Sequence, residues 1–309
     1  MDLVLHFLPL PAGERVGERA SRAIVWPICA LLLALPAQAT TRLEQWVPLF
    51  QGVDFARGGA DEDEPHLQRL SAVRIDLQAP GIEFLVTPDN GKAPKETTSE
   101  TPSEFLLHHH LQAAMNANFF TPCCEPGEKD LLGLAVSRGV VVSPPRQKSI
   151  GSVALCITRD NHARIVKTGE GFTTEGVWTA VAGSEQILVG GVKPVFVDSS
   201  FNKATHPRSA VGLSADGRYL FFLVIDGRRG GHSEGATMSE VADWLLRLGA
   251  SEGLNLDGGG STALVRAEGK GFVLLNVPSG AALGSSGKAE QRSNGNNLGV
   301  FALPLPAAK

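Results

Sequence analysis

The sequence predicts one domain of the α/β (α+β) class: a mixed sheet rich in hairpins, with helices covering it and a site at one edge of its strands. Three observations lead there. Short apolar segments recur between Gly and Pro breaks, among them Val140-Val141-Val142, Val153-Ala154-Leu155 and Ile187-Leu188-Val189, and these read as hairpins. Two stretches, Thr101–Glu104 and Thr237–Glu240, carry the Thr-x-x-Glu signature of a helix start. The second of these helices falls between two strands that each end in an aspartate. A crossover helix of that kind sets its flanking strands parallel and brings both carboxylates to the same sheet edge.

Composition bounds the partners. The chain has 309 residues, 43% of them hydrophobic, and a formal net charge of −4, which supports a sizeable core and offers no basic face to nucleic acid. Arg19 and Arg22 precede an apolar run from Ala23 to Leu35, and Ala37-Gln38-Ala39 supplies a small-x-small cleavage pattern. Residues 1–39 therefore read as an export signal, with its upstream part a mis-called start, and 40–309 as a periplasmic or secreted domain. The run is too short for a membrane span and contains Pro27, so no stable span is expected after cleavage. Cys123, Cys124 and Cys156 then remain, an odd count that predicts one disulfide and one free thiol, with Cys156 joined to one of the adjacent pair.

Taken in order, alternation through Leu70, Ala72, Arg74 and Asp76 and again through Ile82, Phe84 and Val86 predicts two early strands. A helix follows from Ser103 to about Ala114. Its three consecutive histidines, His108 to His110, diverge by about 100° per residue and do not converge on one metal ion; a solvated face is the expectation, and a site that borrows one of them with Cys123 and Cys124 the alternative. The segment Ala114–Phe120 reads as a short strand with Asn116 and Asn118 on one face. Buried asparagines need hydrogen-bond partners, and ligand hydroxyls serve as well as backbone.

Arg208 heads a strand, Asp216-Gly217 turns the chain, and the partner strand Tyr219–Ile225 ends in Asp226-Gly227-Arg228. Antiparallel pairing puts Arg208 and Asp226 at the same end, as a salt bridge or as parts of a site. The helix Thr237–Leu248 buries Val241, Leu245 and Leu248 and stops at Gly249. Glu240 completes its capping box, a structural role that precedes any catalytic one. The next strand leads through Asn255 to Asp257 and then Gly258, Gly259, Gly260, Ser261 and Thr262. A carboxylate at a strand end, beside a glycine loop with free amides and two hydroxyls, suits a sugar or a phosphate. Arg292 and Asn296 stand ahead of the last strand.

These motifs, in this order from about Leu70 to Leu303, resemble the phosphodiester glycosidase family. The resemblance is carried by Asn116-Ala117-Asn118-Phe119-Phe120, His206-Pro207-Arg208-Ser209-Ala210-Val211-Gly212, Val224-Ile225-Asp226-Gly227-Arg228 and Gly235-Ala236-Thr237 with Glu240. It continues through Asn255-Leu256-Asp257-Gly258-Gly259-Gly260-Ser261-Thr262 and Arg292 with Asn296. It implies hydrolysis of the bond between a sugar anomeric carbon and a phosphodiester, in cell-envelope or exopolysaccharide glycans. Asp257 and then Asp226 are the expected catalytic carboxylates. Arg208, Arg228, Arg292, Asn116, Asn118, Asn255, Asn296 and the 258–262 loop are the expected substrate and phosphate contacts. No cofactor is required, although an Asp, Asn and Ser cluster is compatible with a divalent cation. The reading from another class is a non-catalytic periplasmic module that binds anionic glycans.

Overall fold

The computed structural model describes residues 41–61, 65–147, 150–279 and 290–306, so the expected export signal lies outside the described residues. The principal sheet runs, in spatial order, Arg42–Leu43, Val53–Ala60, Gln68–Asp76, Tyr219–Ile225, Arg208–Ser214, Ala250–Asn255 and Gln186–Leu188, with Val47–Phe50 added on Val53–Ala60. Two five-stranded sheets and a small three-stranded one complete the β structure among the described residues.

The helix Met238–Leu248 forms as its local signals require. Thr237 and Glu240 close a reciprocal capping box, and Gly249 ends the helix at φ 100°, a left-handed conformation that glycine adopts without cost. Val241, Leu245 and Leu248 pack on Leu70, Phe221, Leu223 and Ile225 of the principal sheet. The alternate residues Phe222 and Val224 face the other way, into a core shared with Met115 and Leu298 of one five-stranded sheet and Leu155 and Val181 of the other. Tyr219–Ile225 is thus apolar on both faces because a layer covers each of them.

The expectation of a mixed sheet is corrected. Among the described residues every strand pairing is antiparallel, and the architecture is α+β rather than α/β. The crossover helix does join two strands of the same direction, but it skips one position. Arg208–Ser214 fills the slot between them and pairs antiparallel with both. The first helix is also shorter than expected. It spans Pro102–His109 and ends where His110 turns left-handed at φ 56°, so that Leu111 can donate its amide to the Leu106 carbonyl at 3.0 Å and bury its side chain. The strand that follows is Ala113–Asn116, and Asn118 lies beyond it.

The edge that carries the site is stitched by backbone hydrogen bonds within the principal sheet and across to its neighbour. The Leu256 amide donates to the Ser209 carbonyl at 2.9 Å and the Gly259 amide to the Pro207 carbonyl at 2.8 Å. The Asp257 amide crosses to the Ala117 carbonyl, next to the other sheet, at 3.0 Å. Asp257 therefore sits where two sheets meet.

Candidate active site

A cleft of about 210 Å³ opens at this junction, lined by Arg208, Arg228, Asp257, the Gly258–Gly260 loop and Arg292, with Phe119, Phe201, His206, Pro207 and Leu256 around them. Its volume is below the roughly 300–1,000 Å³ of pockets for drug-sized ligands and suits one small polar group.

Asp257 is half-buried. Burial pushes its carboxyl up to about 6, against the pull of the Ser261 hydroxyl, the Arg292 guanidinium and the Gly258 amide. Asn116 holds the backbone beneath it: its Nδ2 donates to the Asp257 carbonyl at 2.5 Å, and its Oδ1 accepts from the Ser209 hydroxyl and the Ala263 amide. The glycine loop permits close approach. A β-carbon at Gly258 would stand 2.7 Å from the Pro207 carbonyl oxygen, and Gly259 takes φ 61°.

Three guanidiniums line the cleft that holds this carboxylate, and of them Arg292 acts on it electrostatically. Arg208 is 2% exposed, and burial pushes it down to about 10, which leaves it protonated at neutral pH. Its Nε donates to the Ala236 carbonyl at 2.9 Å and its Nη2 to those of Phe201 and Ala204, while Glu185 and Glu240 act on its charge from further away. Arg228 takes a left-handed φ of 58°, a conformation that costs energy outside glycine, and its guanidinium packs 3.3 Å from the β-carbon position of Gly259. Arg292 covers Gly260. Among the described residues none of the three has a carboxylate within 4.0 Å. His206 is held below its usual range by burial and then by Arg208 and Arg228, so it adds no further charge near neutrality. The cleft carries a surplus of fixed positive charge over one ionisable acid.

Other expected site residues fall elsewhere. Asp226 ends its strand on the same edge as Asp257, yet it opens onto a separate cavity with Glu44, Arg57, Arg69 and His232. There it accepts from His232 Nε2 at 2.8 Å, from Asn276 Nδ2 and from the Val277 amide. Burial raises its carboxyl while these partners lower it. It is not paired with Arg208. The intervening Gly227 packs against Pro207 and Gly235 and separates the two cavities. Asn118 binds the Gly133 and Leu134 carbonyls, the Ala182 amide and Asn296. Asn255 donates to Ser184 and Leu256. Asn116, Asn118, Asn255 and Asn296 are all buried, and none of them lines the cleft. Ser261 and Thr262 are buried in and after the 3-10 turn behind the loop. Glu240 accepts from the Thr237 amide and hydroxyl at 2.7 and 2.9 Å, its expected capping role.

The disulfide expectation is corrected as well. Cys123 and Cys124 are bonded to each other in the exposed loop after Phe120–Thr121. Cys156 is a buried free thiol on the interior strand Val153–Ile157, packed with Leu134, Val136 and Ala154. Burial pushes that thiol up to about 11. Among the described residues no group of three or more His, Cys, Asp or Glu side chains is placed to hold a metal ion, and no helix is long and apolar enough to cross a membrane.

The sequence reading missed one wall of the cleft, the contacting rings of Phe119 and Phe201 with centroids 6.4 Å apart. Phe119 lies inside a quoted motif. Phe201 belongs to a single helical turn, Ser200–Lys203, that carries no pattern to find.

The antiparallel α+β scaffold thus places one carboxylate and three guanidiniums in one small cleft, and among the described residues no carboxylate lies within 4.0 Å of any of the three. Comparison supplies the class. The family model described as phosphodiester glycosidase matches residues 109–301, and the chain belongs to that family. No curated protein matches the chain. Among solved structures, the fold is similar to the catalytic domain of zebrafish N-acetylglucosamine-1-phosphodiester alpha-N-acetylglucosaminidase, auto-inhibited by its pro-peptide. The TM-score is 0.59 at 18% identity, covering 85% of this chain and 86% of that one. A putative exported protein from Burkholderia pseudomallei gives a TM-score of 0.65 at 12% identity over 87% and 97% of the two chains. A hypothetical protein from Synechocystis gives 0.55 at 16% identity; the match covers 83% of this chain but only 64% of that one.

Proposed function

We propose that this protein is an exported hydrolase that cleaves the bond between a sugar anomeric carbon and a phosphodiester in an envelope or exopolysaccharide glycan. The observation that carries this reading is the single carboxylate, Asp257, sharing a cleft with Arg208, Arg228 and Arg292, none of which has a carboxylate within 4.0 Å among the described residues. The leaving group is a phosphate monoester with a second pKa of about 6, so it departs without a strong general acid. A glycosidase normally needs two carboxylates, and one is enough here. Arg208, Arg228 and Arg292 stabilise the charge that gathers on the phosphate, which is where catalytic binding energy is most effective. Ionised Asp257 faces the carbon that becomes oxocarbenium-like, or activates water for it.

Family membership supports the reaction class. The leader pattern ending at Ala39 supports export, and mass spectrometry of the mature amino terminus tests it. The decisive experiment incubates the mature protein with a panel of sugar-1-phosphodiesters and measures reducing sugar. Release of sugar is expected. Recovery of every ligand bound but intact would establish the glycan-binding module in its place.

A further inference from the structure

The stretch Thr121–Pro126 is exposed throughout, so the Cys123–Cys124 disulfide is open to thiols in solution. The loop is pinned on its far side. The Lys129 ammonium donates to the Glu125 carbonyl at 2.5 Å, and the Gly127 amide donates to the Ser99 hydroxyl at 2.9 Å. Ahead of these pins, Arg292 Nη1 donates to Cys123 Sγ at 3.8 Å. Among the described residues that sulfur is the only hydrogen-bond partner of the Arg292 side chain. The same guanidinium lies over Gly260, on the wall of the cleft.

We propose that the Cys123–Cys124 disulfide is a thiol-responsive positioning element of the Asp257 cleft, which holds Arg292 across the glycine loop while closed and releases it when reduced. The inference rests on the reading above, in which Arg292 grips the anionic part of the substrate. Two adjacent cysteines joined to each other cannot rotate independently, so the acceptor sulfur stays in place. Reduction frees both side chains. An arginine without a fixed partner then has more rotamer freedom to lose each time it engages a ligand. The opening step is thiol–disulfide exchange with an external dithiol. Its thiolate attacks one of the two cysteine sulfurs and the Cys123–Cys124 bond breaks. Its second thiol then displaces the mixed disulfide, leaving two cysteine thiols and an oxidised, cyclic dithiol. Two electrons and two protons are transferred. Cys156, buried with its thiol raised, stays outside the exchange.

The test compares the mature protein before and after treatment with dithiothreitol. Alkylation after denaturation should label one cysteine in the untreated protein and three in the treated one. On reduction, KM for a sugar-1-phosphodiester should rise and kcat fall, so that kcat/KM drops about fivefold or more, with an aryl glycoside of the same sugar unaffected. The melting temperature should barely move, because the loop is superficial. Reoxidation should restore kcat/KM, and the double variant C123S/C124S should match the reduced enzyme and ignore dithiol. Three labels in the untreated protein, or one kcat/KM in both states, would overturn the proposal. If neither substrate turns over in either state, the hydrolase reading has failed. Calorimetric binding of inorganic phosphate then decides this inference alone: weaker binding by about fivefold after reduction supports it, and equal affinity overturns it.

Discussion

The Arg292 guanidinium occupies the space that a β-carbon on Gly260 would fill, so the third glycine of the loop and the approach to the last strand interlock at the mouth of the cleft. The absent side chain is what lets the guanidinium come within electrostatic reach of Asp257.

Gly260→Ala should displace Arg292 without unfolding the loop. The glycine does not use a left-handed φ, and the obstructing atoms are the far end of a flexible side chain. KM for a phosphodiester substrate should rise about tenfold with little change in melting temperature. An unaltered KM would remove Arg292 from substrate binding.

Asp257→Asn should reduce kcat by about a thousandfold or more, since the amide cannot supply the charge. Stability should move the other way. The raised carboxyl means that the folded protein holds this proton more tightly than the unfolded chain does. Its stabilising contribution is complete below the ordinary value of 3.8 and is lost as pH rises through about 6. At pH 7.5 the wild type has lost roughly 2–3 kcal/mol at this position, and asparagine has not. The variant should melt higher than wild type at pH 7.5, with the gap closing towards pH 4. Wild-type kcat should rise with pH through about 6. A variant that melts lower at pH 7.5 would falsify the buried-carboxylate account.

Arg208→Lys should impair both chemistry and fold. Lysine keeps the charge but forfeits the forked contacts to Ala236, Phe201 and Ala204, which hold the wall bearing Phe201. A loss of about 2–4 kcal/mol in stability is expected. Phosphodiester hydrolysis should fall well beyond the loss seen with an aryl glycoside, whose leaving group makes no use of the guanidinium. Equal losses on both substrates, normalised to folded protein, would leave Arg208 a purely structural role.

Glu240→Gln should be nearly silent in activity and melting temperature, because glutamine also closes a capping box with Thr237. Glu240→Ala should cost about 1 kcal/mol with kcat preserved in the folded fraction. Activity lost from a stable Glu240→Gln protein would promote the residue to a direct role.

Much of this was legible in one dimension because its causes are local. The capping boxes at Thr101 and Thr237, the apolar stripe through Val241, Leu245 and Leu248 and the stop at Gly249 each depend on residues within a turn or two. The same holds for the hairpin at Asp216-Gly217. From these it follows that Asp226 and Asp257 end strands of one direction at one edge. The first helix is shorter than its local signals predict for a non-local reason: Leu111 is buried with Leu85, Ala114 and Val265, and a turn at His110 is what lets it arrive there.

Sequence alone determined the residue types of the candidate site, their order, and the strand end on which Asp257 stands. Only the tertiary structure decided which of them share a cleft. Asn116 and Asp257 are 141 positions apart, and a single amide joins them. Asp226 and Arg228 are two positions apart, and they face different cavities. Local periodicity orients a side chain relative to its own strand, whereas burial, pKa and the company of other charges depend on which distant layers close over that strand. That closure is why the asparagines turned inward as braces.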